Sequence, residues 1–298
     1  MEFEGFRSNL DARFPHASNP EIAIASMTTA LQQGTPEWHA ARKGKLTASN
    51  VGAALGLCLW TSRKVAFQRA MGTDTFEGND ATRWGSNNEP NAILAYSAHT
   101  GNLVEKTGLH VHEHTPWLAG SPDGLIGTEG MVEAKCPYWK KQVHFEIPLY
   151  YYMQINLCLE CANREWCDYI SWTPDSYKVI RVTRDRDLHE RMLPHYSNFF
   201  AAMSRGAEGP PVVRKGELQV IREQVEASVR AHVDTSFWES VHPDAAPPTP
   251  CSPENFPEGE SDGGDQPAAP SLAPSELQPA DHQLEDQALC SRTRATRL

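Results

Sequence analysis

Apolar positions follow two registers along this chain, and the changes between them outline the fold. Thr35-Pro36-Glu37-Trp38 opens a short helix, with a threonine placed to cap it and a proline at the first helical position, where a backbone N–H is not needed. That helix ends near Lys43-Gly44, and a second starts around Thr47-Ala48-Ser49 and stops at Gly56. Helical spacing returns over 62–71 and again over 80–99, where Pro90 is expected to interrupt it. Short β-type runs follow at 109–113, 117–120 and 131–136. An apolar helix over 148–161, strands over 166–172 and 177–183, and helices over about 185–204 and 216–239 complete the pattern. There is no internal repeat. Helices, a meander of strands, then helix and further strands predict an α/β core: a central mixed sheet flanked by helices on both sides.

Composition marks where this pattern stops. Residues 1–30 carry little periodicity and read as a loosely ordered leader. From Pro243 onward there are ten of the 22 prolines, a single aromatic (Phe256), and runs such as Glu258-Gly259-Glu260-Ser261-Asp262. Too little apolar surface is present there to offset the entropy of ordering, so 243–298 reads as a disordered, acidic, proline-rich tail. The intervening 31–242 is long enough for one sizeable core. Of the net charge of −11, the tail supplies −7 from ten acidic and three basic residues, which leaves −4 for the body. A body so mildly acidic is not that of a protein that coats nucleic acid generally, and it neither supports nor excludes a DNA substrate.

Met1-Glu2-Phe3-Glu4-Gly5 has no basic n-region, no apolar h-region follows, and no run is long enough to span a bilayer. With seven cysteines, this predicts an intracellular protein, nuclear or cytoplasmic, with free thiols and no membrane contact. Cys158, Cys161 and Cys167 have a spacing that zinc or an iron–sulfur cluster can use. Because the first two fall in an apolar helix and the third in a strand, they are read as buried thiols.

The chemistry concentrates in Ser121-Pro122-Asp123-Gly124 and, after a short turn, Glu133-Ala134-Lys135. Glu133 is the one acidic residue of the chain with a lysine two positions on. Residues two apart in a strand share a face, so Glu133 and Lys135 project together while Val132 and Ala134 enter the core. A bend bracketed by Pro122 and Gly124 aims Asp123 toward Glu133. Two carboxylates suit a hard divalent cation, Mg²⁺ or Mn²⁺, and a nearby ammonium can orient an attacking water or stabilise added negative charge. This is the equipment of phosphodiester hydrolysis. The alternating His110, His112 and His114 are expected to be exposed imidazoles on an edge strand rather than a metal site.

Longer stretches resemble the phage lambda exonuclease and YqaJ-like viral recombinase family, within the PD-(D/E)XK nuclease superfamily. The run Trp38-His39-Ala40-Ala41-Arg42-Lys43-Gly44-Lys45-Leu46-Thr47-Ala48-Ser49 resembles its opening motif. Trp84-Gly85 with Glu89, Ser121-Pro122-Asp123-Gly124-Leu125, Glu133-Ala134-Lys135-Cys136-Pro137, and Tyr151-Tyr152-Met153-Gln154 follow in the family's order. The resemblance implies a restriction-endonuclease-like core. It implies that Asp123, Glu133, the Ala134 carbonyl and Glu89 hold metal, with two ions per site. Lys135 becomes the catalytic lysine, with Gln154 lining the site. Arg42, Ser49 and Ser121 match positions that bind the 5′-phosphate of a DNA end, for which a guanidinium, hydroxyls and a helix start are physically suited. Trp38 is read as a staple at the helix start.

The leading expectation is a 5′→3′ exonuclease on double-stranded DNA ends, serving recombination, repair or end processing. Its partners would be duplex DNA with free ends, a single-strand annealing protein and, by analogy, two further copies of the chain in a trimer. A structure-specific endonuclease with the same metal site, and a DNA-end-binding protein that does not cut, remain open as alternatives.

Overall fold

The computed structural model describes residues 24–25, 31–74, 78–138 and 142–234. The acidic tail and, apart from Ile24 and Ala25, the leader lie outside the described residues. The helices are α1 Pro36–Arg42, α2 Ala48–Leu55, α3 Arg63–Met71, α4 Asp80–Thr100, α5 Leu149–Ala162, α6 Arg186–Ser204 and α7 Lys215–His232. The strands are β1 Ile24–Ala25, β2 Leu46–Thr47, β3 Val104–Glu105, β4 His110–Val111, β5 Leu118–Gly120, β6 Gly124–Ile126, β7 Gly130–Lys135, β8 Trp166–Trp172, β9 Tyr177–Thr183 and β10 Val233–Asp234.

The larger sheet runs β1-β3-β6-β7-β8-β9-β10, and a smaller one runs β2-β5-β4. The larger sheet is mixed, because β7 lies antiparallel to β6 but parallel to β8. A parallel pair needs a crossover, and α5 supplies it. Alternation along the central strands buries both faces. Met131, Tyr169 and Ile180 join α2, α3, α5, α6 and α7 in one cluster, while Val132, Ala134 and Ile170 pack on α4 through Ala92, Ile93 and Tyr96. The predicted arrangement of helices on both sides of a mixed sheet is therefore found.

Local signals account for most boundaries. Ser62 caps α3 by accepting from the Val65 N–H at 3.2 Å, and Asn79 with Thr82 forms a reciprocal capping box at the start of α4. Gly101 in the left-handed region (φ 73°) ends α4. The interruption expected at Pro90 does not occur: α4 runs through it for 21 residues. A proline in a helix costs about 3 kcal/mol, and the two capped ends and the buried face of α4 outweigh that. Helix α7 stops at His232, short of the 239 that periodicity suggested, and the chain turns into β10 against β9.

One buried polar tie fixes α4 to the sheet. The Tyr96 hydroxyl donates to Asp168 Oδ2 at 2.5 Å, and Arg181 holds the same carboxylate with Nε at 2.8 Å and Nη2 at 2.9 Å. Asp168 is completely buried, so its charge depends on this pairing. Cys158, Cys161 and Cys167 are buried free thiols, as read from the sequence, and burial pushes all three thiols up. Among the described residues no helix is long and apolar enough to cross a membrane.

Candidate active site

Strand β7 carries Glu133 and Lys135 on one face, and the structure gives each a defined setting. Glu133 is 1% exposed. Its Oε1 accepts from Lys135 Nζ at 2.9 Å and from Gln154 Nε2 of α5 at 2.5 Å. Its other oxygen, Oε2, is buried and has no hydrogen-bond partner among the described residues. A buried carboxylate oxygen left unpaired costs more than ~1–3 kcal/mol, and a bound cation would offset that cost. Lys135 Nζ also stands 4.8 Å from the centre of the Tyr151 ring, which favours the charged ammonium. Behind Tyr151, the buried His144 is pushed down to about 3 by burial and by the Lys135 charge, so it is neutral. Its Nδ1 lies 2.5 Å from the Tyr169 hydroxyl.

Asp123 reaches the same place from the turn before β6. Its backbone N–H donates to the Val132 carbonyl at 3.2 Å, and its Oδ2 accepts from the Ala134 N–H at 2.8 Å. The carboxylate thus borders β7 where β6 has ceased to pair with it. The next residue has to be glycine, since a Cβ on Gly124 would stand 2.3 Å from Val104 Cγ1. Glu89 comes from α4, on the opposite side of the sheet from α5. Desolvation and the Glu133 charge raise its carboxyl above the usual range, against the opposing pull of Lys135 and Lys106. Desolvation, Glu133 and Glu89 push Asp123 well up, against Lys135 and the Ala134 N–H. Three carboxyl groups thus crowd around Lys135, with Lys106 also acting on Glu89, and a divalent cation with oxygen ligands would relieve the repulsion that results.

A cleft of about 530 Å³ opens over this group, and Arg42, Ser49 and Ser121 line it as well. Arg42 Nη2 donates to Ser49 Oγ at 2.8 Å and to Thr47 Oγ1 at 3.3 Å. Ser49 is not the cap of α2; Thr47 holds that position and makes no side-chain cap bond. Trp38 is not the apolar staple expected. It lines the cleft, its indole N–H donates to Ser121 Oγ at 2.9 Å, and the Arg42 guanidinium lies 4.0 Å over its ring. All nine residues singled out in the sequence, Ala134 among them, therefore meet in one cleft. Helices α2 and α5 approach closely beneath it. A Cβ on Gly52 would fall 2.7 Å from the Tyr150 Cα and 2.8 Å from its carbonyl oxygen.

Sequence reasoning gave no role to Tyr151 or to Lys106, which also lines the cleft. Tyr151 lay inside a motif already quoted, two residues from Met153, and needed only the question of what the lysine rests on. The histidine expectation is corrected in two places. His110 Nε2 lies 2.6 Å from Thr107 Oγ1, and His112 stacks on His189 of α6. Of the three, His114 alone is exposed. Strand β4 is two residues long, too short to set all three on one face.

A mixed sheet with a carboxylate–lysine cleft at β7 is the framework of a nuclease-type domain. Residues 37–165 match the profile of the YqaJ-like viral recombinase domain. Among solved structures, an alkaline exonuclease (LHK-Exo) from Laribacter hongkongensis is 28% identical, over 65% of this chain and 99% of that one, with a TM-score of 0.48. LHK-Exo in complex with dAMP gives 26% identity over the same shares and a TM-score of 0.49. A phage-related exonuclease from Haemophilus somnus gives 16% identity over 60% and 96%, with a TM-score of 0.40. No curated protein matches the chain significantly.

Proposed function

We propose that the protein is a metal-dependent deoxyribonuclease, a 5′→3′ exonuclease on double-stranded DNA ends that serves recombination or end processing. The observation that carries this reading is Glu133. One of its oxygens is clamped by Lys135 and Gln154, and the other is buried, without a hydrogen-bond partner among the described residues, in the cleft that Asp123 and Glu89 also line. That donor set fits Mg²⁺, and Mn²⁺ equally, held by Asp123, Glu133, Glu89 and the Ala134 carbonyl, with two ions per site. The metal supplies Lewis-acid polarisation of the scissile phosphate and activation of a water. Lys135, steadied by Glu133 and the Tyr151 ring, orients that water or stabilises the charge that develops on the phosphate. Gln154 keeps Glu133 Oε1 occupied, so that Oε2 is the oxygen left for metal.

Arg42 with Ser49 and Ser121 forms the anion pocket for a terminal 5′-phosphate, the feature that makes cutting start from an end. Its hydroxyls are held by Arg42 and Trp38 before any ligand arrives, which lowers the ordering cost of binding. A homotrimer around the duplex and a single-strand annealing partner belong to the same reading, as does an intracellular location.

Digestion of a linear duplex labelled at one 5′ end, with and without Mg²⁺, tests the proposal, with closed circular DNA and Lys135→Ala alongside. The expected result is Mg²⁺-dependent loss of the linear duplex, release of the label as mononucleotide, and an intact circle. Cutting of the circle would favour the endonuclease. Tight binding to ends with no cutting in Mg²⁺ or Mn²⁺ would leave an end-binding protein.

A further inference from the structure

A second cluster of metal-competent side chains lies away from the cleft. His112, just after β4, and His189, in the first turn of α6, stack with ring centres 5.3 Å apart and planes 18° from parallel. Glu160, in the last turn of α5, completes the group, and one donor atom from each residue lies within 4.8 Å of the others. His189 and Glu160 are 4% and 8% exposed. Among the described residues, Nδ1 of both histidines is buried without a hydrogen-bond partner. Each such atom costs ~1–3 kcal/mol when left alone, and here two of them belong to rings in contact. Burial favours the neutral imidazole in both residues, the form that donates a lone pair.

Glu160 is already engaged on one side. Arg184 Nε donates to its Oε1 at 2.7 Å, and Arg184 Nη2 donates to its Oε2. A carboxylate offers about four lone-pair sites, so a guanidinium fork leaves room for one more bond. The Arg184 charge opposes a cation and lowers its affinity, but it also fixes the carboxylate in place. None of the three residues lines the nuclease cleft.

We propose that His112, His189 and Glu160 form a second metal site, for a first-row transition-metal ion of which zinc is the best match. Two imidazoles and a carboxylate are a donor set that zinc takes with its fourth position open to water, whereas Mg²⁺ prefers all-oxygen surroundings. The ion ties the loop after β4 to the end of α5 and the start of α6. Because α5 also carries Gln154, the tie braces the helix that positions Glu133.

Cobalt is the probe, since Co²⁺ bound by imidazole in a low-symmetry site absorbs in the visible and Mg²⁺-type sites with oxygen ligands absorb far more weakly. The full chain is stripped with chelator and titrated with Co²⁺ and then with Zn²⁺, beside His112→Gln, His189→Gln and Asp123→Asn. One equivalent of intense visible absorption, erased by Zn²⁺, absent from either histidine variant and retained in Asp123→Asn, is the expected result. Bands lost in Asp123→Asn and kept in both histidine variants would place the ion in the cleft and overturn the proposal. Absence of the bands from the unaltered protein would overturn it as well. Far-UV circular dichroism verifies folding, and should His189→Gln not fold, the more exposed His112→Gln decides.

Discussion

Binding of Mg²⁺ to the cleft is expected to expel protons. Asp123 is held well above the usual carboxylate range and Glu89 above its ordinary value, each by desolvation first and by neighbouring carboxylates second. In the metal-free protein both keep their protons at a pH where free carboxylates have lost them, and a cation must displace them. Each contributes about one proton, so the release approaches about two below the raised values and falls to none above them. Metal affinity in that range should rise by ~10- to 100-fold per pH unit, or ~1.4 kcal/mol for each tenfold step. Stability moves the opposite way in the metal-free protein. A carboxyl whose folded value is raised contributes stability that is complete below its unfolded value, near pH ~4, and lost as pH climbs through the folded value. Taken alone, these two carboxyls make the metal-free protein melt lower as pH climbs through their folded values, whereas the buried, neutral His144, His112 and His189 act in the opposite sense below the ordinary imidazole value. Mg²⁺ at about 100 times its Kd should restore ~2.7 kcal/mol, about 5–10 °C for a domain of this size. Calorimetric titration in buffers of different ionisation heat counts the protons directly. No proton release anywhere between acid and neutral pH, with a Mg²⁺-induced Tm shift that ignores pH, would refute this account of the three carboxyls.

Three further outcomes are expected. Lys135→Ala should lower cleavage by ~10²- to 10⁴-fold while fluorescence anisotropy shows duplex binding close to the parent's; a parallel loss of binding would mean the lysine serves affinity. Arg42→Ala should reduce the preference for 5′-phosphorylated over 5′-hydroxyl ends by ~10- to 100-fold, read as the ratio of digestion rates, and an unchanged ratio would remove the phosphate pocket. Tyr96→Phe removes one of three hydrogen bonds to the buried Asp168 carboxylate and leaves both bonds from Arg181. It should cost about 1.5–2 kcal/mol, a drop of about 3–8 °C in a thermal melt, and a variant that melts with the parent would show the tie to be idle.

What the sequence disclosed depended on the range of the contact. Glu133 and Lys135 were legible because a strand's period of two makes them share a face, and the Pro122–Gly124 bend announced Asp123 locally. Glu89 and Gln154 were not legible from periodicity, since an amphipathic pattern does not say which polar residue of a helix turns toward a distant strand; the family motifs supplied them. The two- and three-residue strands β2, β3 and β6 are too short to show any period. Pro90 misled because a local penalty was read without the packing that overrides it. His112 misled because its partners, Glu160 and His189, lie 48 and 77 positions away. Trp38 was read as apolar filling, and its N–H found Ser121 across 83 residues.

The near-contact at Gly52 turns this cleft into a gauge. Helix α2 carries Ser49 and α5 carries Gln154, and the two approach so closely at Gly52 that a Cβ there would stand 2.6 Å from the Tyr150 Cβ and 2.7 Å from its Cα. The offset between Ser49 and Gln154 is therefore set at this crossing by the approach of the two backbones, a length that side-chain motion cannot stretch. Any residue at position 52 larger than glycine would push the two helices apart and displace Ser49 relative to Gln154.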